Sequence, residues 1–267
     1  MAPKYSNKLT GKRILVIGGT SGIGFCVAEA CLEFGAFVTV ASSRQEKVEN
    51  TIKRLTASNP DAQEQGRISG HVVDLASSDV EAALTTLFDF ATENGKHKLD
   101  HFVNTAGDTL SVTKITDVTL TQLQHYGQVR FLSVLIMAKL APRYLHRSSA
   151  SSVTFTGGIS STKPPPGWSA LVGWNCAKEA MVRGLAVDFA PLRFNLVAPG
   201  AIDTEYLLHM AGDNADKNKE LVAWFGTKGL LGKCGLPEDT AEAYLYVMRD
   251  TFITGQVLKT EGGYTLT

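Results

Sequence analysis

Three closely spaced glycines could cradle a phosphate. Gly18, Gly22 and Gly24 follow a short apolar run at residues 14–17 and precede a stretch with apolar residues at helical spacing. Glycines let the backbone pass close to an anion, and the N–H groups at the start of the next helix, with its dipole, hold the charge. A glycine turn alone is a weak signal, but a strand before it and a helix after it are the context that a nucleotide site requires. The candidate phosphate-binding residues are Gly18, Thr20, Ser21, Gly22, Ile23 and Gly24.

The residues after the second predicted strand bear on which dinucleotide would bind. An acid there hydrogen-bonds a ribose 2′-hydroxyl and repels a 2′-phosphate. Here Ser42, Ser43 and Arg44 offer two hydroxyls and a guanidinium. This favours NADP(H) over NAD(H), because arginine is the expected partner of a 2′-phosphate; the alternative is that Arg44 only begins the next helix in solvent. Asp74, after the third predicted strand, could accept from the adenine amino group or could cap the next helix.

Short apolar runs alternate with helical stretches along the whole chain. The predicted strands are residues 14–17, 37–40, 70–73, 99–103, 152–156, 194–197 and 256–259. The predicted helices are residues 24–34, 45–55, 80–93, 119–145, 173–192 and 237–248. This alternation predicts one α/β domain over residues 1–267: a Rossmann-like, doubly wound parallel sheet with helices on both faces and ligands at the carboxyl ends of the strands.

Composition narrows the classes of function. Apolar residues make up 44% of the chain, and 26 basic residues balance 26 acidic ones. A balanced charge does not indicate nucleic acid or an anionic membrane as a partner. The four cysteines form no CxxC pair, so no metal site is expected, and the polar N-terminal segment resembles no signal peptide. We therefore expect a cytoplasmic protein that acts on a small molecule.

The whole chain resembles the short-chain dehydrogenase/reductases. The resemblance rests on residues 18–24, Asp74, the NTAG of residues 104–107 (NNAG in the family), Pro199-Gly200 with Asp203-Thr204, and ITGQVLKTEGG near the end. It implies a subunit that binds NAD(P)(H) and forms a homodimer or homotetramer through the helices at residues 119–145 and 173–192. The further cofactor-binding residues that it implies are Asn104, Ala106, Gly107, Lys178, Pro199, Gly200, Ile202 and Thr204.

In that family an asparagine, a serine, a tyrosine and a lysine together reduce carbonyl groups. The resemblance implies that Lys178 keeps the lysine's role of holding the ribose, and that Trp174 stands in the tyrosine position of the YxxxK motif. Gly158 takes the serine position, although Ser160 or Ser161 could swing in. Arg130 takes the asparagine position. The cofactor anchor is therefore retained, whereas the proton-transfer apparatus is not.

The chemistry that remains favours a preactivated substrate. Indole has no proton to give near neutral pH, so Trp174 cannot act as a general acid. Hydride delivery belongs to the nicotinamide. A neutral ketone becomes an alkoxide on reduction and needs a proton or an oxyanion site. An iminium ion is already cationic and is neutralised by hydride, so an iminium or a similar acceptor fits a site without a proton donor.

The region of the expected substrate is aromatic and stiff. Three prolines at 164–166 fix the backbone before Trp168. Pro165, Trp168 and Trp174 could line an apolar pocket for a large, flat substrate, with aromatic faces that hold a cation, although each tryptophan could equally pack in the core. Arg130 could orient a carbonyl or stabilise negative charge, or could be a structural ion-pair partner. The candidate catalytic residues are Arg130, Lys178 and Trp168.

The loss of the catalytic tetrad, Arg130 on the long helix and the proline-rich loop with Trp168 make the chain resemble a small fungal subgroup of the family. These are the reductases of bridged indole alkaloid biosynthesis of the malbrancheamide and paraherquamide type. The resemblance implies that NADPH reduces a cyclic iminium of an indole-containing substrate, and that the same pocket guides an intramolecular Diels–Alder closure. An acid is expected in the proline loop of that subgroup, where this chain has only prolines at 164–166. Either Asp108 or Asp203 could supply a carboxylate instead, or the chain is a relative with altered function or a substituted variant.

Two other hypotheses stay open. One is a conventional carbonyl reductase or alcohol dehydrogenase whose proton donor has moved to Tyr126 or Tyr206. The other is a non-catalytic NADP(H)-binding protein, which the loss of three catalytic positions favours and the retained Lys178 disfavours. A polar, mixed segment at residues 205–226 is the expected lid of the site.

Overall fold

Seven strands and ten α-helices alternate through the computed structural model, which describes residues 4–108 and 112–267. The strands are β1 (Arg13–Ile17), β2 (Phe37–Ser42), β3 (Ile68–Val72), β4 (His101–Asn104), β5 (Ser152–Thr156), β6 (Arg193–Pro199) and β7 (Val257–Thr260). The helices are α1 (Gly22–Glu33), α2 (Gln45–Ser58), α3 (Pro60–Glu64), α4 (Val80–Ala91), α5 (Leu120–Gly127), α6 (Ser133–Tyr144), α7 (Ser169–Asp188), α8 (Glu205–Met210), α9 (Ala215–Gly226) and α10 (Pro237–Arg249).

All strand pairs are parallel, and the sheet order is β3-β2-β1-β4-β5-β6-β7. The order reverses at β1, which pairs with β2 on one side and β4 on the other. Such a reversal opens a crevice at the carboxyl ends of the strands, where ligands bind in doubly wound folds. The predicted fold class is confirmed.

Strand β1 explains why the sheet needs helices on both faces. Ile14 and Val16 belong to a core cluster with Val27 of α1 and Tyr244 of α10. The alternate residues of the strand, Leu15 and Ile17, belong to a second cluster that α4, α6 and α7 cover. Successive side chains of a strand point to opposite faces, so an apolar run without polar interruptions is stable only when both faces are buried.

The long helix predicted at residues 119–145 is interrupted. Helix α5 ends at Gly127, a π-helical turn occupies Gln128–Leu132, and α6 continues from Ser133. A π turn inserts extra backbone without ending the helix, and such turns are frequent at functional sites. Apolar periodicity does not reveal it, because the segment stays helical and apolar on both sides.

Other boundaries also differ from the prediction. The fourth strand starts at His101 rather than at 99, since Leu99 makes a single bridge to Leu145. Helix α7 begins four residues earlier than expected, at Ser169. The predicted lid segment contains two helices, α8 and α9. The short helix α3 is an element that the sequence pattern does not predict.

A search of residues 4–108 and 112–267 for a membrane-spanning helix finds none with the length and apolar character that crossing a bilayer requires.

Candidate cofactor and substrate site

A cavity of about 540 Å³ opens where the strands end. Most of the predicted cofactor-binding residues line it: Gly18, Thr20, Ser21, Gly22, Ile23, Gly24, Ser43, Asp74, Ala106, Gly107, Lys178, Pro199, Gly200, Ile202 and Thr204. The predicted substrate-pocket residues Arg130, Pro165 and Trp168 line it as well. Three predicted residues, Arg44, Asn104 and Trp174, lie outside the lining that the described part of the chain forms.

The glycine turn is built so closely that side chains would fill it. Gly18 has a φ of +80°, and a Cβ atom on it would lie 2.5 Å from the Ala106 nitrogen. A Cβ atom on Gly24 would collide with the carbonyl oxygen of Gly18. The turn therefore brings its backbone against the loop after β4, with the N-terminus of α1 at the cavity. This cradle fits the phosphates of a dinucleotide.

Lys47, and not Arg44, is the cation at the cavity beside the end of β2. Arg44 is the N-cap residue of α2 and is exposed. Ser42 and Ser43 line the cavity. Lys47 lines it as well, because it lies in the first turn of α2, close to the end of the strand. Lys47 was not among the predicted residues, because it does not directly follow the strand but lies within the next helix. A lysine three positions into a helix that starts at a strand end was the available signal.

Asp74 and Asn104 have different local roles. Asp74 lines the cavity, and its Oδ1 accepts the Ala76 N–H at 2.9 Å. It is not the cap of α4, which is Asp79, whose Oδ1 accepts the Ala82 N–H at 3.1 Å. Asn104 is buried, and its Oδ1 accepts the Ala106 N–H at 3.2 Å. Asn104 therefore shapes the turn after β4 from behind instead of facing the cavity.

Lys178 is a buried amine at the wall of the cavity. Only 4% of its surface is exposed, and its Nζ donates to the Thr156 carbonyl at 2.7 Å. Burial, helped by the positive charge of Arg130, lowers the pKa of Lys178 to about 7, with Asp108 and Glu179 opposing the shift. The end of β5 thus holds this amine in place, ready to donate to a polar ligand.

Arg130 reaches the cavity from the π turn and is ion-paired there. Its Nε lies 2.7 Å from Asp108 Oδ1, and its terminal nitrogen also contacts the Asp108 carbonyl oxygen. The guanidinium lies over Gly107, where a Cβ atom would be 3.2 Å from both terminal nitrogens. Arg130 is therefore a structural ion-pair partner and part of the cavity wall at the same time, and its action on a substrate stays a prediction.

Trp174 does not face the cavity, contrary to its predicted place in the substrate pocket. A Cβ atom on Gly127 would lie 2.9 Å from Trp174 Cζ2, so the indole rests on the helix backbone. The Phe131 ring lies 5.1 Å away between centroids. The physical reason is that Gly127, just before the π turn, leaves room for a large ring. The aromatic wall of the cavity is instead formed by Trp168, with Phe225 and Tyr264 also in the lining.

The two tyrosines considered as relocated proton donors are in different places. Tyr126 is buried outside the cavity lining, and its hydroxyl hydrogen-bonds Thr113 Oγ1 at 2.9 Å. Tyr206, on α8, lines the cavity. Partial burial raises the pKa of Tyr206, and Arg130 beside it works in the opposite direction. Of the two carboxylates considered, Asp108 lines this cavity, whereas Asp203 lines a smaller neighbouring one.

Comparisons with known proteins agree with this architecture. Residues 5–267 match the family described as SDR-like Rossmann domain. The chain is 38% identical over 269 residues to the short-chain dehydrogenase/reductase malC of Malbranchea aurantiaca, covering 100% of both chains. It is 37% identical over 263 residues to the short-chain dehydrogenase/reductase ucsE of an Acremonium species, covering 98% of both.

A solved structure extends the likeness to the fold. The structure of the MalC reductase/Diels–Alderase from Malbranchea aurantiaca superposes with a TM-score of 0.92 at 37% identity, covering 99% of this chain and 100% of that one. The Rossmann fold of this family binds a nicotinamide cofactor at the strand ends, where the cavity lies. The glycine cradle, the buried Lys178 and these likenesses show that the chain belongs to the short-chain dehydrogenase/reductase family of oxidoreductases.

Proposed function

We propose that this oxidoreductase uses NADPH to reduce an iminium ion or a similarly preactivated small molecule. The observation that carries the proposal is the packing of Trp174. At the position of the family's proton donor stands an indole that rests on Gly127 and Phe131. Lys178, four residues later, still lies at the cavity. A site with a cofactor anchor and no tyrosine at this position suits an acceptor that needs no proton.

The cofactor preference rests on the end of β2. Ser42, Ser43 and Lys47 line the cavity there, and two hydroxyls with an ammonium suit a 2′-phosphate. The glycine cradle and the N-terminus of α1 would hold the pyrophosphate, and Lys178 would donate to the ribose hydroxyls. The nicotinamide, when bound, supplies the hydride.

The substrate that we propose is large and flat and contains an indole. Trp168 and Pro165 give the cavity an apolar wall, and an aromatic face attracts a cation such as an iminium. The similar protein from Malbranchea is named as a reductase and Diels–Alderase. We extend both activities to this chain, with a place in fungal secondary metabolism. The proline loop at 164–166 carries no acid, so the carboxylate that we assign to this chemistry is Asp108, which lines the cavity next to Arg130.

We propose further that the protein is a cytoplasmic homodimer or homotetramer. Leu132 and Leu135, on the π turn and α6, are 42% and 37% exposed and would be covered in such an assembly. Sedimentation of the purified protein tests this assignment, and a monomer at micromolar concentration would contradict it.

A single-turnover measurement tests the reaction. NADPH-loaded protein is mixed with a dihydro-β-carbolinium salt, which is a cyclic indole iminium, and in parallel with a neutral indole ketone, while the NADPH absorbance is followed. We expect NADPH to be consumed with the iminium alone. Products from a substrate that carries a diene and a dienophile would then be examined for ring closure, with NADP⁺ in place of NADPH as the control without reduction.

A second candidate, a carbonyl reductase with a moved proton donor, is favoured by Tyr206. This phenol lines the cavity near Arg130 and Asp108. Consumption of NADPH with the ketone, lost in a Tyr206→Phe variant, would establish this candidate instead. Tight NADPH binding without turnover of either compound would favour the non-catalytic hypothesis.

A further inference from the structure

A hydroxyl group beside the end of β5 has no role in the proposed function so far. Ser160 lies in a 3₁₀ turn, Ile159–Ser161, and lines the cavity. Its Oγ accepts a hydrogen bond from Asn175 Nδ2 at 3.0 Å. Asn175 also lines the cavity, three residues before Lys178 on α7. Residues three apart share a helix face, so these polar groups lie along one side of the cavity.

The direction of this hydrogen bond determines what the hydroxyl can do next. The Asn175 Nδ2 group can only donate, so Ser160 is the acceptor in this contact. A hydroxyl that accepts one hydrogen bond keeps its own proton for a second partner. Among residues 4–108 and 112–267, the Ser160 side chain has a single hydrogen-bond partner, Asn175. The remaining proton is therefore available to an acceptor in the cavity.

Ser160 stands next to the place that Gly158 leaves empty. A Cβ atom on Gly158 would lie 3.8 Å from both Ser160 Oγ and Asn175 Nδ2. The family's serine position therefore has space for a side chain, and the hydroxyl of Ser160 borders this space. The sequence left open whether Ser160 or Ser161 could take over this position.

The neighbouring serine is already engaged elsewhere. Ser161 Oγ donates to the Glu179 carboxylate and lies 3.0 Å from the Gly158 carbonyl oxygen. Ser161 is also outside the cavity lining of the described chain. Two adjacent residues of the same type thus differ in their hydrogen-bond partners and in access to the cavity. This makes Ser161 a matched control for Ser160.

We propose that Ser160, oriented by Asn175, donates a hydrogen bond to a carbonyl oxygen of the substrate, beside the position that the family's serine occupies. Ser160 is then a substrate-contacting residue, and Asn175 is a positioning residue that acts through it. The acceptor is an amide, lactam or ester carbonyl close to the carbon that is reduced. This proposal rests on the proposed function, because it concerns the substrate of that same reductase.

Two probes that differ in one carbonyl group test the proposal. The first is a dihydro-β-carbolinium salt, and the second is the same salt with a methyl ester on the carbon next to the iminium nitrogen. The ester adds an acceptor oxygen but no N–H donor. KM and kcat are measured with NADPH, and Kd is measured on the NADP⁺ complex by quenching of tryptophan fluorescence, since Trp168 lines the cavity.

We expect Ser160→Ala to raise KM and Kd for the ester by about three- to tenfold, the range that corresponds to one lost hydrogen bond. The values for the unsubstituted salt should stay within about twofold. Ser161→Ala should change neither probe. Asn175→Ala should weaken binding of the ester less than Ser160→Ala does. In the double variant, Asn175→Ala should add little to the loss caused by Ser160→Ala, because the two residues act as one unit.

A second variant guards against a folding defect. Gly158→Ser in the Ser160→Ala background returns a hydroxyl to the adjacent space, and should recover part of the preference for the ester. Equal losses for both probes in Ser160→Ala, or a wild-type protein that does not prefer the ester, would overturn the proposal. If the wild type binds the ester more tightly but reduces neither probe, the proposed function fails while the role of Ser160 stands.

Discussion

The Nε atom of Arg130 lies 2.7 Å from Oδ1 of Asp108, and the pair forms part of the cavity wall. Both side chains are largely buried, at 18% and 24% exposure. The attraction between the two charges therefore compensates for the hydration that each loses, since a partly buried charge without a partner is costly. Arg130 also acts on Lys178, whose pKa it helps to lower.

Removing one member of this pair should cost more than removing both. We expect Arg130→Met to reduce the free energy of unfolding by about 1–3 kcal/mol, and the double variant Arg130→Met/Asp108→Asn to regain part of this loss. Urea unfolding of the four proteins of the cycle measures the coupling. Additive losses would mean that the contact contributes nothing to stability.

The wild-type protein should gain stability as the pH rises above neutrality because of Lys178. Its pKa is lowered from 10.5 to about 7 in the folded chain. Between these values the unfolded chain binds the proton and the folded chain does not, so the free energy of unfolding rises with pH, by up to about 1.4 kcal/mol per pH unit. Below about pH 7 both states carry the proton and this dependence ends.

The Lys178→Met variant isolates this effect from all other titrations. We expect the stability of the wild type, relative to the variant, to increase from pH 7 to pH 9 in parallel urea titrations of the two cofactor-free proteins. A constant difference over this range would show that Lys178 titrates in the folded protein as it does in water.

Trp174 should be dispensable for chemistry. We expect Trp174→Phe to reduce the iminium probe within about threefold of the wild-type rate, because the indole packs on Gly127 and Phe131 and gives no proton. Lost packing should still lower the free energy of unfolding by about 1–2 kcal/mol. Stopped-flow rates and urea unfolding separate the two effects. A rate loss of several hundredfold with unchanged stability would assign Trp174 a direct catalytic role.

Lys47 should determine the preference for the phosphorylated cofactor. We expect Lys47→Ala to weaken NADPH binding about tenfold or more and to leave NADH binding nearly unchanged, since a charge-assisted contact to a 2′-phosphate is lost. Arg44→Ala is the matched control, and fluorescence titration with both dinucleotides gives the four dissociation constants. The opposite ranking of the two variants would return the role to Arg44.

The sequence by itself determined the features that depend on local pattern. Apolar runs that alternate with helical stretches bury their apolar surfaces as a parallel sheet covered on both faces. The pattern of residues 14–24 predicts a strand, a glycine turn and the start of a helix. The sequence also shows directly that position 174, four residues before Lys178, holds tryptophan and not tyrosine. The fold was therefore predictable from the chain alone, and most of the residues predicted for the site do line the cavity.

The tertiary structure decided which neighbouring side chains enter the site. Helix phase and the conformation of caps select Lys47 over Arg44 and Ser160 over Ser161, although each pair is close in sequence and similar in chemistry. The π turn carries Arg130 to Asp108, and the space above Gly127 takes up Trp174. A shift of one residue along a helix turns a side chain by about 100°, and only packing against other elements determines that shift.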